Sequence, residues 1–119
     1  WFIGWQILKC STIGLIGMNH GWGEDDNPEK IITHGHENPE AIVDSSVTKM
    51  IFTKIYNPDF DCYCIMDPIY QFYSNALKEF ISRSPEWLST INATEGGSIF
   101  GKKIISMQLL DFLKKNNGK

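Results

Sequence analysis

No apolar run in this chain approaches the ~18 residues that a membrane-crossing helix needs, so no membrane span is expected. Basic residues are in deficit: 11 Lys and Arg stand against 14 Asp and Glu, a formal charge of -3. A protein that grips a polyanionic backbone needs a positive field, so nucleic acid is not an expected partner. Cysteine is scarce, three residues in 119, and the count is odd. Cys62 and Cys64 are two positions apart, too close for an easy bridge in an extended chain. Free thiols in a reducing, cytoplasmic setting follow. The pair has no further ligands beside it, so the thiols read as small buried hydrophobes rather than as a metal centre. The opening WFIGWQILKC has neither a basic start nor a small-residue cleavage site, and does not read as a signal peptide. Neither repeats nor low-complexity stretches are present. There is no phosphate loop ending in Gly-Lys-Ser/Thr and no six-residue dinucleotide fingerprint.

Apolar residues make up 42% of the chain, enough for a core. The length suits a single domain over residues 1–119. The chain opens at Trp1, not Met, and is apolar at once, which suggests a fragment or a gene product cut at its start.

The pattern predicts an α/β chain. Trp1, Trp5 and Leu8 at helical spacing predict a short buried helix. The run TIGLIGM, 12–18, predicts a strand buried on both faces. Helix and buried strand together suggest a partial Rossmann-like fold, with a short, mostly parallel sheet and flanking helices. Residues 19–47 are rich in Gly, Pro, Asn and acid and read as mostly loop, with one helical turn at PEAIVDS. Residues 47–55 fit strand or helix equally, and YNPDFD is a turn. Over 67–82 the spacing predicts an amphipathic helix: Asp67 caps it, Pro68 fits its first position, and Ile69, Phe72, Tyr73, Ala76, Leu77, Phe80 and Ile81 make one apolar face. Short strands near 89–93 and 103–106 follow. A last helix, about 107–115, is expected to bury Leu109, Leu110, Phe112 and Leu113.

Three places could carry chemistry. LIGMNHGW, 15–22, puts Asn19 and His20 just after a strand, where ligands sit in open α/β sheets. His20 can act as a base near neutral pH, although Asn-His-Gly also reads as a plain turn. INATEGGSIFG, 91–101, surrounds a glycine pair with small hydrogen-bonding side chains. Backbone amides at Gly96 and Gly97 can cradle phosphate oxygens; Asn92, Thr94 and Ser98 add donors, and Glu95 can meet a hydroxyl, a metal or an amine. The bland alternative is a polar-capped turn. His34 and His36, two apart in THGHE, could share zinc, but acids and histidines in a loop are usually solvated, and no metal ligand is assigned. Trp22, between glycines, reads as a loop anchor or as a sugar or base platform. GKK, 101–103, could meet a phosphate or simply start a strand.

Taken in order, KCSTIGLIGMNHGW, YNPDFDCYCIMDPIYQFYSNALKEFI and TINATEGGSIFGKKIISMQLLDFLKK resemble the carboxyl half of the MptE-like family. That family holds 6-hydroxymethylpterin diphosphokinases and proteins of flagellin or surface glycosylation. A more distant resemblance is to bacterial sialyltransferases. Both imply a nucleotide-derived substrate at the strand ends, and by matching motifs they imply Gly17, Asn19 and His20, then Asn92, Thr94, Glu95, Gly96 and Gly97, as site residues. His20 and Glu95 are the catalytic candidates; Gly17, Asn19, Asn92, Thr94, Gly96, Gly97 and Ser98 are the binding candidates. The resemblance implies Mg²⁺ for a diphosphokinase. Asn19 stands where the family's motif has an acid, and an amide holds Mg²⁺ less well. The family's amino-terminal half is not found here, so an incomplete enzyme is expected. The leading expectation is a glycosyltransferase-like protein of surface glycan assembly. The alternatives are a Mg²⁺-dependent pterin diphosphokinase and a non-catalytic binding or assembly domain. Unpartnered sheet edge and apolar surface favour a homodimer, through residues 1–8.

Overall fold

A computed structural model describes residues 1–25 and 52–117. Among these, a π-helical turn (Ile3–Ile7) precedes β1 (Thr12–Leu15), β2 (Trp22–Gly23), β3 (Thr53–Asn57), β4 (Cys62–Met66), α1 (Pro68–Ser82), β5 (Ser89–Asn92), β6 (Ile104–Ser106) and α2 (Leu109–Asn116). The strands form two sheets. One is parallel, in the order β1-β5-β6; the other is antiparallel, in the order β2-β4-β3. The chain is therefore mixed α/β with a three-stranded parallel sheet. The antiparallel sheet was not in the sequence expectation. Its centre, β4, carries CYCIM directly after a turn, and its two-residue neighbour β2 is too short to show a period. Of the ambiguous stretch 47–55, residues 53–55 are strand, and β3 runs on through Tyr56 and Asn57, where the sequence pattern reads turn, pairing with β4 from Thr53↔Met66 to Asn57↔Cys62.

The register of the parallel sheet sorts its two faces. Ile13, Thr90 and Ile104 are aligned neighbours, and so are Gly14, Ile91 and Ile105. The first row faces α1 and the amino-terminal turn. There Leu15, Ile81, Ile99 and Ile104 form the buried cluster, with Trp1, Ile13, Met18 and Leu77 against it. Trp1 Nε1 donates to Thr90 Oγ1 at 3.0 Å, so the half-buried indole packs against the core while its one donor is satisfied. The second row faces α2. A Cβ on Gly14 would lie 2.6 Å from Phe112 Cζ, so glycine is what lets that ring lie on the sheet.

Several burial expectations need correction. The predicted strand 12–18 ends at Leu15, and of its four residues only Leu15 is buried. Gly17 turns the chain away with a φ of 70°. The opening helix is a single π turn with no buried residue, and Leu8 is exposed. In α2, Leu109 and Phe112 are half-buried while Leu110 and Leu113 are exposed. In α1, Asp67 caps the helix as expected, its carboxylate accepting from the Tyr70 amide at 2.7 Å. The buried side of α1, however, is Ser74 and Ile81 with Leu77 beside them; Ile69, Phe72, Tyr73 and Phe80 are exposed. Among the described residues, no helix is long and apolar enough to cross a membrane. PEAIVDS, with His34 and His36, lies outside the described residues.

Candidate functional site

In a parallel sheet, all strands deliver their following loops to one edge. The loops after β1 and β5 are therefore side by side, and the structure pins them together. The Ser98 amide donates to the Asn19 carbonyl at 2.9 Å. Ser98 Oγ lies 3.2 Å from that same oxygen, 3.0 Å from the His20 carbonyl and 3.0 Å from Ser74 Oγ. The Met18 amide donates to Thr94 Oγ1 at 3.1 Å. Gly97, with a φ of 79°, packs so tightly that a Cβ there would lie 2.6 Å from the Asn19 carbonyl oxygen.

This geometry explains why INATEGGSIFG is so polar. Residues 93–103 are the crossover from β5 to its parallel neighbour β6, made without a helix. An irregular crossover over a core leaves backbone groups without ladder partners, and these must be met from elsewhere. Asn92, wholly buried, does this twice: its Oδ1 accepts from the Thr94 amide at 3.0 Å and its Nδ2 donates to the Ile99 carbonyl at 2.6 Å. Ile99, between the polar residues, drops into the core. The side chains of Asn92, Thr94 and Ser98 are thus committed to the protein itself. Lys103, another phosphate candidate, precedes β6 and so lies at the opposite edge, bonded to the Ser84 carbonyl and paired with Glu86.

The antiparallel sheet closes the site from the side. Asn57, at the end of β3 and wholly buried, donates from Nδ2 to the Gly97 carbonyl at 2.9 Å. Between the two sheets lies a cavity of about 560 Å³. Asn19, Gly96 and Gly97 line it from the parallel sheet; Trp22, Glu24, Asp25, Asp61, Cys62 and Cys64 are among its residues from the other side. Its size falls in the range of small-ligand pockets. Trp22 is anchored edge-on to Tyr70 (4.9 Å) and Phe52 (5.8 Å) and still borders the cavity. Gly96 has room: the nearest atom to a Cβ there is Cys62 Sγ, at 3.9 Å.

His20 and Glu95 flank the lining residues Asn19 and Gly96 in sequence but are not themselves in the wall. Both have left-handed backbones, φ 45° and 62°, which side-chain-bearing residues adopt only where the surroundings enforce it. His20 is half-buried, its ring stacked on Tyr70 at 6.0 Å, with Nδ1 buried and unpaired. Burial holds its imidazole below the ordinary value. Glu95 is exposed. Gly17 is also exposed, at the bend leaving β1.

The wall is acidic. Asp61 accepts from the Tyr56 hydroxyl at 2.7 Å, and Glu24 is paired with Lys54, whose ammonium also lies over the Tyr63 ring. Burial pushes the Cys64 thiol up, with Cys62 nearby adding to the shift, so it is not an activated nucleophile. An anion in this cavity therefore meets backbone dipoles at the glycines and carboxylates opposite. Among the described residues, no three His, Cys, Asp or Glu side chains converge on a metal position. Mg²⁺ asks for less than that when it arrives with phosphates: one or two carboxylates and water. Asp25 and Asp61 are the aspartates among the lining residues. Sequence reasoning had Asp25 only among the acids near the histidine pair and missed Asp61 and Asn57, because these join the site only through the second sheet. No family model, curated protein or solved structure matches the chain.

Proposed function

We propose that this cavity holds a nucleotide-derived substrate and that the chain is transferase-like, glycosyltransferase-like in surface glycan assembly. One observation carries the reading: two glycine-bearing loops meet at the carboxyl edge of adjacent parallel strands, and the cavity opens beside them. The partial Rossmann-like assignment and the likeness to the carboxyl half of the MptE-like family belong to this reading. In it, the Gly96-Gly97 backbone faces the phosphates, Trp22 offers an apolar wall to the base or sugar, and His20, outside the wall but next to the lining residue Asn19, is the proton acceptor for an incoming group that approaches from that side. Burial lowers its proton affinity, which favours the neutral imidazole but makes it a weaker base. Mg²⁺, held by Asp25 or Asp61, would offset phosphate charge against the acidic wall. A pterin diphosphokinase would use the same site with ATP. In the same reading the chain is a cytoplasmic homodimer, the free thiols being in keeping with a reducing compartment.

A second reading, a non-catalytic binding or assembly domain, is favoured by the commitment of Asn92, Thr94 and Ser98 to internal bonds. Calorimetric titration of CMP, CDP, UDP and ATP, with and without Mg²⁺, separates the two. The expected result is weak, Mg²⁺-dependent binding of at least one nucleotide. Asn19→Asp strengthens it by restoring a carboxylate. Gly96→Val abolishes it while the protein stays folded, since that position has space for a side chain. If no nucleotide binds wild type or either variant, the transferase reading fails and the assembly reading takes its place.

A further inference from the structure

Helix α1 has three faces rather than two. Ser74, Leu77 and Ile81 meet the parallel sheet; Gln71, Asn75, Glu79 and Ser82 form a polar side; the remaining side is Ile69, Phe72, Tyr73, Ala76 and Phe80. That third side is apolar and open: Ile69 is 62% exposed, Phe72 70%, Tyr73 55% and Phe80 49%. An amphipathic helix with one core to face needs only one apolar stripe, so this width asks for a second contact. The stripe runs on into the amino-terminal turn, where Phe2 meets Phe80 ring to ring at 5.0 Å and Ile3 and Ile7 are exposed.

We propose that this face of α1 is the contact between two copies of the chain, with the helices crossing at Ala76. The inference rests on the homodimer reading above and moves its centre from residues 1–8 to α1. Three observations favour a second copy as the occupant. The first is area. At about 200 Å² for each fully exposed large side chain, the α1 stripe and the adjoining Phe2, Ile3 and Ile7 leave roughly 800 Å² open, what a stable interface takes from each partner. The second is charge. A two-fold contact lays a surface on itself, so any charge near the axis meets its own like. The stripe itself carries none, and the two charges that border it next to Ala76, Glu79 and Arg83, neutralise each other as a pair. The third is shape. Ala76 is the one small residue of the stripe, with Phe72 and Tyr73 before it and Phe80 after. Two copies can approach closely there while the larger side chains pack to either side.

Sedimentation equilibrium tests this on the whole chain. Wild type is expected to be a dimer. Phe72→Glu and Ala76→Arg are each expected to raise the dimer dissociation constant about a hundredfold or more, since each buries an unpaired charge. Both sites are outside the buried core, so far-ultraviolet circular dichroism should not change. Leu110→Glu, on exposed α2, should leave the dimer intact. Oxidised Ala76→Cys should give a covalent dimer that oxidised wild type does not, which tests the axis without relying on a destabilising variant. A monomeric wild type overturns both the dimer reading and this surface. A dimer that survives both α1 variants, or one that Leu110→Glu breaks equally, overturns the surface alone. Nucleotide titration is a separate readout, so failure of the ligand reading is distinguishable from either.

Discussion

The His20 ring stacks on Tyr70 with one nitrogen buried and unpaired, and that placement has a pH signature. In the unfolded chain the imidazole protonates near 6.5; in the folded chain burial disfavours the cation and lowers that value. Just below 6.5 the unfolded state therefore binds more protons. Stability falls as the pH drops through that interval and is unaffected by His20 above it. Urea unfolding at about pH 7.5 and about pH 5.5 should show a loss on acidification that is smaller in His20→Asn, a residue that tolerates the left-handed backbone. Equal losses in the two proteins would remove His20 from the account. The chemistry of this residue was legible in the sequence, and so was the hydrogen-bonding character of Asn92, Thr94 and Ser98. Their partners were not. Thr94 and Ser98 bond to a segment more than seventy positions earlier.

Among the elements, α1 shows both the strength and the limit of periodicity. Its start followed from Asp67 and Pro68, because capping is local chemistry. Asp67→Ala removes the bond to the Tyr70 amide and should cost about 1 kcal/mol, read as a lower urea midpoint at unchanged slope. An unchanged midpoint would mean that the first turn is held by packing alone. The burial of α1 did not follow. An apolar stripe predicts contact with something apolar, and the sheet covers only the Ser74, Leu77 and Ile81 side. The strand β4 was missed for the opposite reason: Cys62, Cys64 and Met66 alternate with Tyr63 and Ile65, so every position is apolar and a period of two has nothing to contrast with.

For the whole molecule, the decisive joint is between the two sheets. Asn57 closes the β3–β4 turn by accepting from the Asp59 amide at 3.0 Å and reaches across to the Gly97 carbonyl. Asn57→Ala leaves the half-buried Gly97 carbonyl and the amide of the exposed Asp59 without a side-chain partner, and empties a wholly buried position. It should destabilise the protein by roughly 2 kcal/mol and weaken any ligand of the cavity, whose two walls it ties together. Thermal melting and the nucleotide titration measure the two effects. A variant as stable as wild type would show that the sheets are held together without this bond.

The sequence by itself determined the α/β character, the capped helix, the turn at Pro58 and the segments that form the parallel sheet. Each depends on neighbours within a few positions, whose spacing and backbone preference are written in the chain. It also put the loops after β1 and β5 in one candidate site, of whose residues Asn19, Gly96 and Gly97 line the cavity and Gly17, His20 and Glu95 do not. Only the tertiary structure decided that most polar side chains of the glycine loop face inward, that a second sheet supplies Asp25, Asp61 and the thiols to the cavity wall, and that one side of α1 stays uncovered. These are pairings across long separations. A residue type fixes what a group can bond to or bury, and the packing of distant segments selects the partner.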